Sequence, residues 1–313
     1  MKETLAIYGS GTIGACLATL TTGNGFPTVV IGHSSRGIEQ CLKTVKQNWD
    51  DLIREGLVNS SNKIAAMDLL HITSEPAAIE PCAFVYESVS ETLEIKRDVY
   101  RQIEQYCKAD TIIASTTSSI DAQKLAELLD RPERFLIAHP FQPAHLLPLV
   151  EVVCHENTSS VALAQTKSLL NRLKRETVVL RKSIPGFLLN RFAQALFRES
   201  IDLIERGITT PADIDRAVKY AIGMRYSSIG LLEYFDAVGF ELERAIAENI
   251  YPNLCCTKDI QKTVLDGIAQ GKTGQSAGQG LYDWSKIDQE DFRHRKQSPY
   301  FSFVQTWDLP GDV

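Results

Sequence analysis

His139 stands where an imidazole could do chemistry. The apolar run Phe135-Leu136-Ile137-Ala138 predicts a short buried strand with His139 at its end. Pro140 and Pro143 then stop sheet pairing and stiffen the loop that follows. A second apolar run, Leu149-Val150-Glu151-Val152-Val153, brings the chain back with Glu151 inside it. A carboxylate there is costly unless it has a partner. A strand-end histidine and a carboxylate in the next strand suggest a general base and the group that orients it. The alternative is a satisfied structural histidine and an edge-strand glutamate.

A second constellation lies at the start of the chain. The strand Leu5-Ala6-Ile7-Tyr8 runs directly into Gly9-Ser10-Gly11-Thr12-Ile13-Gly14, then a helix through Ala15–Leu20, then a strand at Thr28–Ile31. Strand, glycines, helix and strand within about thirty residues predict a dinucleotide fold. Gly9 permits the tight turn, Gly11 lets the backbone approach a pyrophosphate, and Gly14 lets the helix pack on the strand. The phosphates, over Thr12 and Ile13, would sit on the positive helix end. An NAD site normally has Asp or Glu after the second strand to accept the ribose hydroxyls. Here the residues are Gly32-His33-Ser34-Ser35-Arg36. Hydroxyls and a guanidinium, with no carboxylate to repel a 2′-phosphate, favour NADP(H). NAD(H) is the alternative, with His33, Ser34, Ser35 and Arg36 merely opening the next helix.

The elements that must carry these residues alternate strand and helix as far as Leu180. Helical spacing runs from Ile38 to Glu55. Strands are expected at His71–Thr73, Phe84–Glu87, Thr111–Ala114 and Thr177–Leu180, with helices from Glu87 to about Tyr106 and from Thr158 to Arg172. Ligands of a doubly wound sheet bind beyond the carboxyl ends of its strands, where Glu87, Ser118 and His139 fall. After Ile184-Pro185-Gly186 the pattern becomes wholly helical, with segments from Phe187 to about Glu205, Thr210 to Tyr220, Ile229 to Asn249 and Lys258 to Ala269. The expected domains are 1–183, α/β, and 184–313, all-α, ending in a polar tail after Trp284.

Composition narrows the class. The hydrophobic share of 44%, the charged share of 23% and the net charge of −6 are those of a soluble globular protein and offer nucleic acid no basic surface. Seven cysteines without a Cys-x-x-Cys pair argue against a disulfide framework or zinc ribbon, so no metal site is expected. With no signal-peptide core and no membrane-length apolar run, a cytoplasmic protein is expected.

Six blocks, in order, resemble the 3-hydroxyacyl-CoA dehydrogenase superfamily: Gly9–Gly14, Glu87–Glu91 with Lys96, Thr117-Ser118-Ser119, His139-Pro140-Phe141 with Glu151, Pro185–Arg191, and Gly278–Trp284. The resemblance implies a Rossmann-like doubly wound sheet followed by an all-α dimerisation domain, with the active site in the cleft between them, and a homodimer. It implies His139 as catalytic base, Glu151 as its partner, and Ser118 and Asn190 as the groups that hold the reacting oxygen. Glu91 and Lys96 match positions on the cofactor side. The expected reaction moves a hydride between a nicotinamide and the 3-hydroxyl carbon of a small molecule.

Gly223-Met224-Arg225-Tyr226 with Ile229-Gly230 resembles the small-hydroxy-acid branch that holds lambda-crystallin, L-gulonate 3-dehydrogenase and L-carnitine dehydrogenase. Arg225 could bind a free carboxylate as a fork, which a CoA thioester lacks, or could simply pair with Glu233. The closing Gly-x-Gly-Leu-Tyr-Asp-Trp block resembles the acyl-CoA members instead. A small 3-hydroxy acid is the preferred substrate. A short-chain (S)-3-hydroxyacyl-CoA and a non-catalytic, crystallin-like binding role are the alternatives.

Overall fold

Short, almost wholly apolar strands need both faces covered, and that requirement organises the first half of the molecule. A computed structural model describes residues 2–311. The strands are β1 (Leu5–Tyr8), β2 (Thr28–Ile31), β3 (Leu70–Thr73), β4 (Phe84–Glu87), β5 (Ile112–Ser115), β6 (Phe135–Pro140), β7 (Leu149–Val153) and β8 (Glu176–Leu180). They form one sheet in the order β3-β2-β1-β4-β5-β6-β7-β8. Every neighbouring pair is parallel except β6 with β7. The proline-stiffened loop after β6 has no helix to carry a crossover, so β7 returns antiparallel.

The helices of this part are α1 (Thr12–Gly23), α2 (Ser35–Arg54), α3 (Ser60–Asp68), α4 (Leu93–Tyr106), α5 (Ala122–Ala126) and α6 (Ser160–Arg172). On one sheet face Leu5, Ile7 and Val30 pack with Trp49 and Leu52 of α2. On the other, Ala6, Ile31 and Val85 pack with Tyr100 and Ile103 of α4. This alternation is the period-two pattern of strands converted into two cores. Helix α1 is buried from Gly14 to Gly23 despite its threonines. Thr19, Thr21 and Thr22 donate their hydroxyls to the carbonyls of Ala15, Leu17 and Ala18 within the helix.

Then follow α7 (Leu189–Glu205), α8 (Pro211–Ala217), a π-turn at Val218–Gly223, α9 (Met224–Tyr226), α10 (Leu231–Val238), α11 (Phe240–Ile250), α12 (Lys262–Ala269), α13 (Gln289–Gln297) and α14 (Phe301–Val304). The helix expected over Ile229–Asn249 is thus divided at Gly239. The helix expected from Glu87 starts only at Leu93, because residues 88–91 form a loop whose glutamate is used elsewhere.

The molecule divides into one unit ending at Leu188 and rejoined from Arg293 onward, and a second unit, Leu189–Phe292. The expected split was at residues 183/184, with everything later in the helical domain; in the structure the tail from Arg293 onward groups with the first unit. Trp307 is buried edge-on against Trp49, and a Cβ on Gly23 would lie 2.5 Å from the Trp307 ring. Asp308 pairs with Lys2 at 3.4 Å and with Lys174 at 3.3 Å. Among the described residues no helix is long and apolar enough to cross a membrane.

Candidate active site

The antiparallel register sets His139 directly opposite Glu151. Their Nδ1 and Oε2 atoms are 3.0 Å apart and both side chains are buried. An ionised carboxylate oxygen can only accept, so Nδ1 donates to it, and in the neutral imidazole this tautomer keeps the lone pair on Nε2. Strand β7 lies between β6 and β8, so Glu151 is interior and the edge-strand alternative does not hold. The rings of Phe141 and Phe187 stand edge-on to the imidazole, with centroids 4.6 and 5.5 Å away.

Strand β5 neighbours β6, and the loop that leaves it carries Ser118. Glu91 shapes that loop. Its Oε1 accepts from the Thr117 hydroxyl, the Ser118 amide (3.3 Å), the Ser119 amide (3.2 Å) and the Ser119 hydroxyl (2.9 Å). Burial works to raise the Glu91 pKa, but these hydrogen bonds and the Lys96 charge outweigh it and hold the acid below its ordinary value. Ser118 is left exposed at the loop surface.

Lys96 is placed beneath this loop. It is buried, with its ammonium 2.7 Å from Glu87 Oε1 and 3.5 Å from Glu91 Oε2. Glu87, expected to converge on the cofactor, is sealed in the core: it also accepts from Tyr100 (2.8 Å), Ser115 (2.7 Å) and the Val89 amide (2.9 Å). Tyr100 and Ser115 went unrecognised in the sequence. The available signal was Tyr100 one helical turn beyond Lys96.

The glycine turn is shaped to receive phosphates. Gly9 has φ +130°, and a Cβ there would lie 2.5 Å from the Ser88 carbonyl oxygen. A Cβ on Gly14 would lie 1.9 Å from the Gly9 oxygen. Gly11 faces open space, and no side chain caps the first amides of α1, at Thr12 and Ile13. Uncapped amides at a helix start in front of an open glycine fit a pyrophosphate. The adjoining cleft, about 750 Å³, is lined by residues that include Tyr8, Gly32, His33, Ser34, Arg36 and Gln40. Its wall does not include Ser35. Ser34 caps α2 by accepting the Gly37 amide at 3.2 Å. Tyr8 reaches across one side to donate to Gln102 (2.5 Å), a wall residue that sequence reasoning missed. A side chain on Gly32 would strike Ile38 and Ser10, at 2.6 and 2.9 Å. Among the described residues Arg36 has no ion-pair partner.

Asn190 and Arg225 belong to the helical unit. Asn190 is the second residue of α7 and half-buried. The Arg225 guanidinium lies 4.5 Å over the Tyr234 ring, and among the described residues it has no ion pair. Glu233, its alternative partner, instead accepts the Gly230 amide at 3.1 Å and caps α10. In the closing block the Tyr282 hydroxyl donates to Asp215 (2.8 Å).

The chain matches two family models, the 3-hydroxyacyl-CoA dehydrogenase NAD binding domain over residues 4–184 and the 3-hydroxyacyl-CoA dehydrogenase C-terminal domain over 186–284. It is 31% identical to the 5-formyl-3-hydroxy-2-methylpyridine 4-carboxylate 5-dehydrogenase of Mesorhizobium japonicum, covering 90% of this chain and 91% of that one. It is 33% identical to the L-carnitine dehydrogenase of Pseudomonas aeruginosa, over 89% and 88%. A crystal structure of a 5-formyl-3-hydroxy-2-methylpyridine 4-carboxylic acid 5-dehydrogenase, described as an NAD+-dependent dismutase, superposes with a TM-score of 0.84 at 29% identity, over 98% and 97%. That of (S)-3-hydroxybutyryl-CoA dehydrogenase from Ralstonia eutropha gives 0.74 at 26%, over 91% and 100%. With both domains matched in order and full-length relatives above 30% identity, the chain belongs to the 3-hydroxyacyl-CoA dehydrogenase family and is a nicotinamide-dependent oxidoreductase.

Proposed function

We propose that the protein interconverts the 3-hydroxyl and 3-keto forms of a small acid with a free carboxylate, with His139 as general acid and base and NADP(H) preferred over NAD(H). The observation that carries this reading is the buried His139–Glu151 pair, which leaves one imidazole nitrogen poised for a proton. The nicotinamide, when bound through the Gly9–Gly14 turn and the start of α1, supplies the hydride acceptor or donor. Oxidation of a carbinol also releases a proton, which Nε2 of His139 takes while Glu151 stabilises the imidazolium. In this reading Ser118, presented by the Glu91-bound loop, and Asn190 hold the reacting oxygen as its charge changes.

The free-acid preference is supported by Arg225, whose guanidinium rests on Tyr234 with no carboxylate partner among the described residues. The M. japonicum relative's substrate is by name a carboxylate. The closing block, the sequence's best argument for a CoA ester, has a structural use in the Tyr282–Asp215 bond. The NADP(H) preference is supported by Gly32, which has no space for an acidic side chain, and by Arg36 on the cleft wall. Seven free cysteines agree with a reducing, cytoplasmic setting.

One kinetic panel tests this. Small 3-hydroxy acids and hydroxyacyl-CoA thioesters are offered with NADP+ and NAD+ to the wild type, His139→Gln and Arg225→Met. Free acids should turn over, faster per enzyme with NADP+. His139→Gln should lose roughly 10²- to 10⁴-fold while retaining cofactor affinity. Arg225→Met should weaken acids far more than CoA esters. Undiminished turnover in His139→Gln, or tighter binding of NADH than NADPH, would overturn the corresponding part.

A further inference from the structure

Glu151 uses both of its carboxylate oxygens. Its Oε2 holds His139, and its Oε1 accepts the Leu188 amide at 2.8 Å, one residue before the chain enters α7. The amide arrives there through a turn with two consecutive left-handed residues, Gly186 at φ +78° and Phe187 at φ +47°. Glycine adopts this conformation freely, whereas a bulky residue is strained in it. Such strain persists only where the surroundings over-determine it, and it clusters at functional sites. The surroundings here are on hand. The Phe187 amide donates to the Ile184 carbonyl at 3.0 Å, Ser183 accepts the Ala122 amide at 3.3 Å, and the Phe187 ring is 2% exposed with its edge toward His139.

We infer that Phe187 is a positioning residue for proton transfer: its left-handed backbone delivers the Leu188 amide to Glu151, and its ring walls the imidazole that Glu151 orients. The Leu188 amide on one oxygen and the His139 ring on the other hold the carboxylate, and the Phe141 and Phe187 rings flank the imidazole. Glycine at position 187 would adopt the turn without strain but would leave the imidazole without one of its walls. The presence of phenylalanine therefore points to the ring. The inference rests on His139 being the base.

Three substitutions separate ring from backbone. Phe187→Gly keeps the turn and removes the ring, Phe187→Ala removes the ring and keeps the strain, and Phe187→Leu keeps apolar bulk. Loss of the ring should lower kcat about 10- to 100-fold, as small misplacements of reacting groups do. Substrate KM and cofactor Kd should change by no more than about threefold, and the solvent deuterium isotope effect on kcat should rise as proton transfer becomes limiting. Phe187→Leu should recover most of the rate. Wild-type kcat in Phe187→Gly overturns the inference. So does a loss explained wholly by fewer active molecules, with kcat per active site and isotope effect unchanged. Phe187→Gly, which relieves strain, carries the test if Phe187→Ala does not fold. His139→Gln is measured in parallel: turnover there removes the base assignment itself, whereas a silent His139→Gln beside a fully active Phe187→Gly removes only the role of Phe187.

Discussion

His145 lies in the loop that joins His139 to Glu151, buried and with no hydrogen-bond partner for Nδ1 among the described residues. Burial, reinforced by the Arg175 guanidinium and opposed by Asp51, brings its pKa down from 6.5 to about 4. Arg175, itself lowered to about 10 by burial, anchors the same loop by donating to the Leu147 carbonyl at 3.1 Å. A histidine whose folded pKa is depressed binds fewer protons folded than unfolded. Its full contribution is therefore present above pH 6.5 and is lost as pH falls from there through 4. A shift of this size corresponds to about 3 kcal/mol. Chemical denaturation of the wild type and His145→Phe across pH 4 to 7 should show the wild type losing more stability on acidification, by up to that amount. Identical pH dependences would show that His145 is not held neutral by the fold. Unlike His139, this histidine bears no signature in the sequence, because nothing local announces the guanidinium that Arg175, just before β8, brings to its loop.

At the scale of elements, β2 and β4 were legible to the residue, since short β-branched and aromatic runs closed by Gly32 and by Ser88 leave little choice. The glycine turn and the returning Glu151 were legible for the same reason, each being a local pattern with a fixed geometric consequence; the histidine strand was legible except at its end, since β6 runs on through Pro140, which pairs with Val150 where the prolines were expected to stop pairing. The sealing of Glu87 was not, because it requires Lys96, Tyr100 and Ser115 from two other elements to close over one carboxylate. The tail was legible only in part: its charged run suggested a final helix, which α13 supplies. Its polar composition suggested a loose end, whereas Val304 and Trp307 are buried, Asn62 donates to the Pro310 carbonyl at 3.1 Å, and Asp308 meets two lysines. Burying Trp307 over Gly23 makes the tail part of the nucleotide-binding unit. Trp307→Ala should therefore cost about 3–5 kcal/mol, the usual loss for a large buried aromatic. Gly23→Ala, which would drive a methyl into the Trp307 ring, should be destabilising alone and nearly neutral when combined with Trp307→Ala. Additive losses in that double-mutant cycle, read by thermal unfolding, would mean that the two groups do not meet.

At the scale of the whole molecule, the two units bury their apolar residues very unequally. The sheet-containing unit has two full cores, while among the described residues Ile201 alone is buried in α7–α12. Helix α11 presents Leu242, Ile246 and Ile250 at helical spacing with exposures of 56, 42 and 47%, and α7 presents Phe192 and Leu196 at 50 and 48%. Contiguous stripes of this kind do not stay in water on a stable soluble monomer. A second copy of the chain is the partner expected to cover them, since self-complementary apolar faces of this sort are closed most simply by a two-fold axis. These exposed apolar residues are the physical reason to expect the homodimer that the resemblance implies. Light scattering on purified protein should give a species of two 34.8 kDa chains at micromolar concentration. Placing a charge in the stripe with Ile246→Glu should shift that species toward single chains and lower the unfolding temperature, since a buried unpaired carboxylate is costly. A wild type that sediments as one chain at every concentration would exclude the second copy as the cover. A dimer indifferent to Ile246→Glu would move the interface off α11.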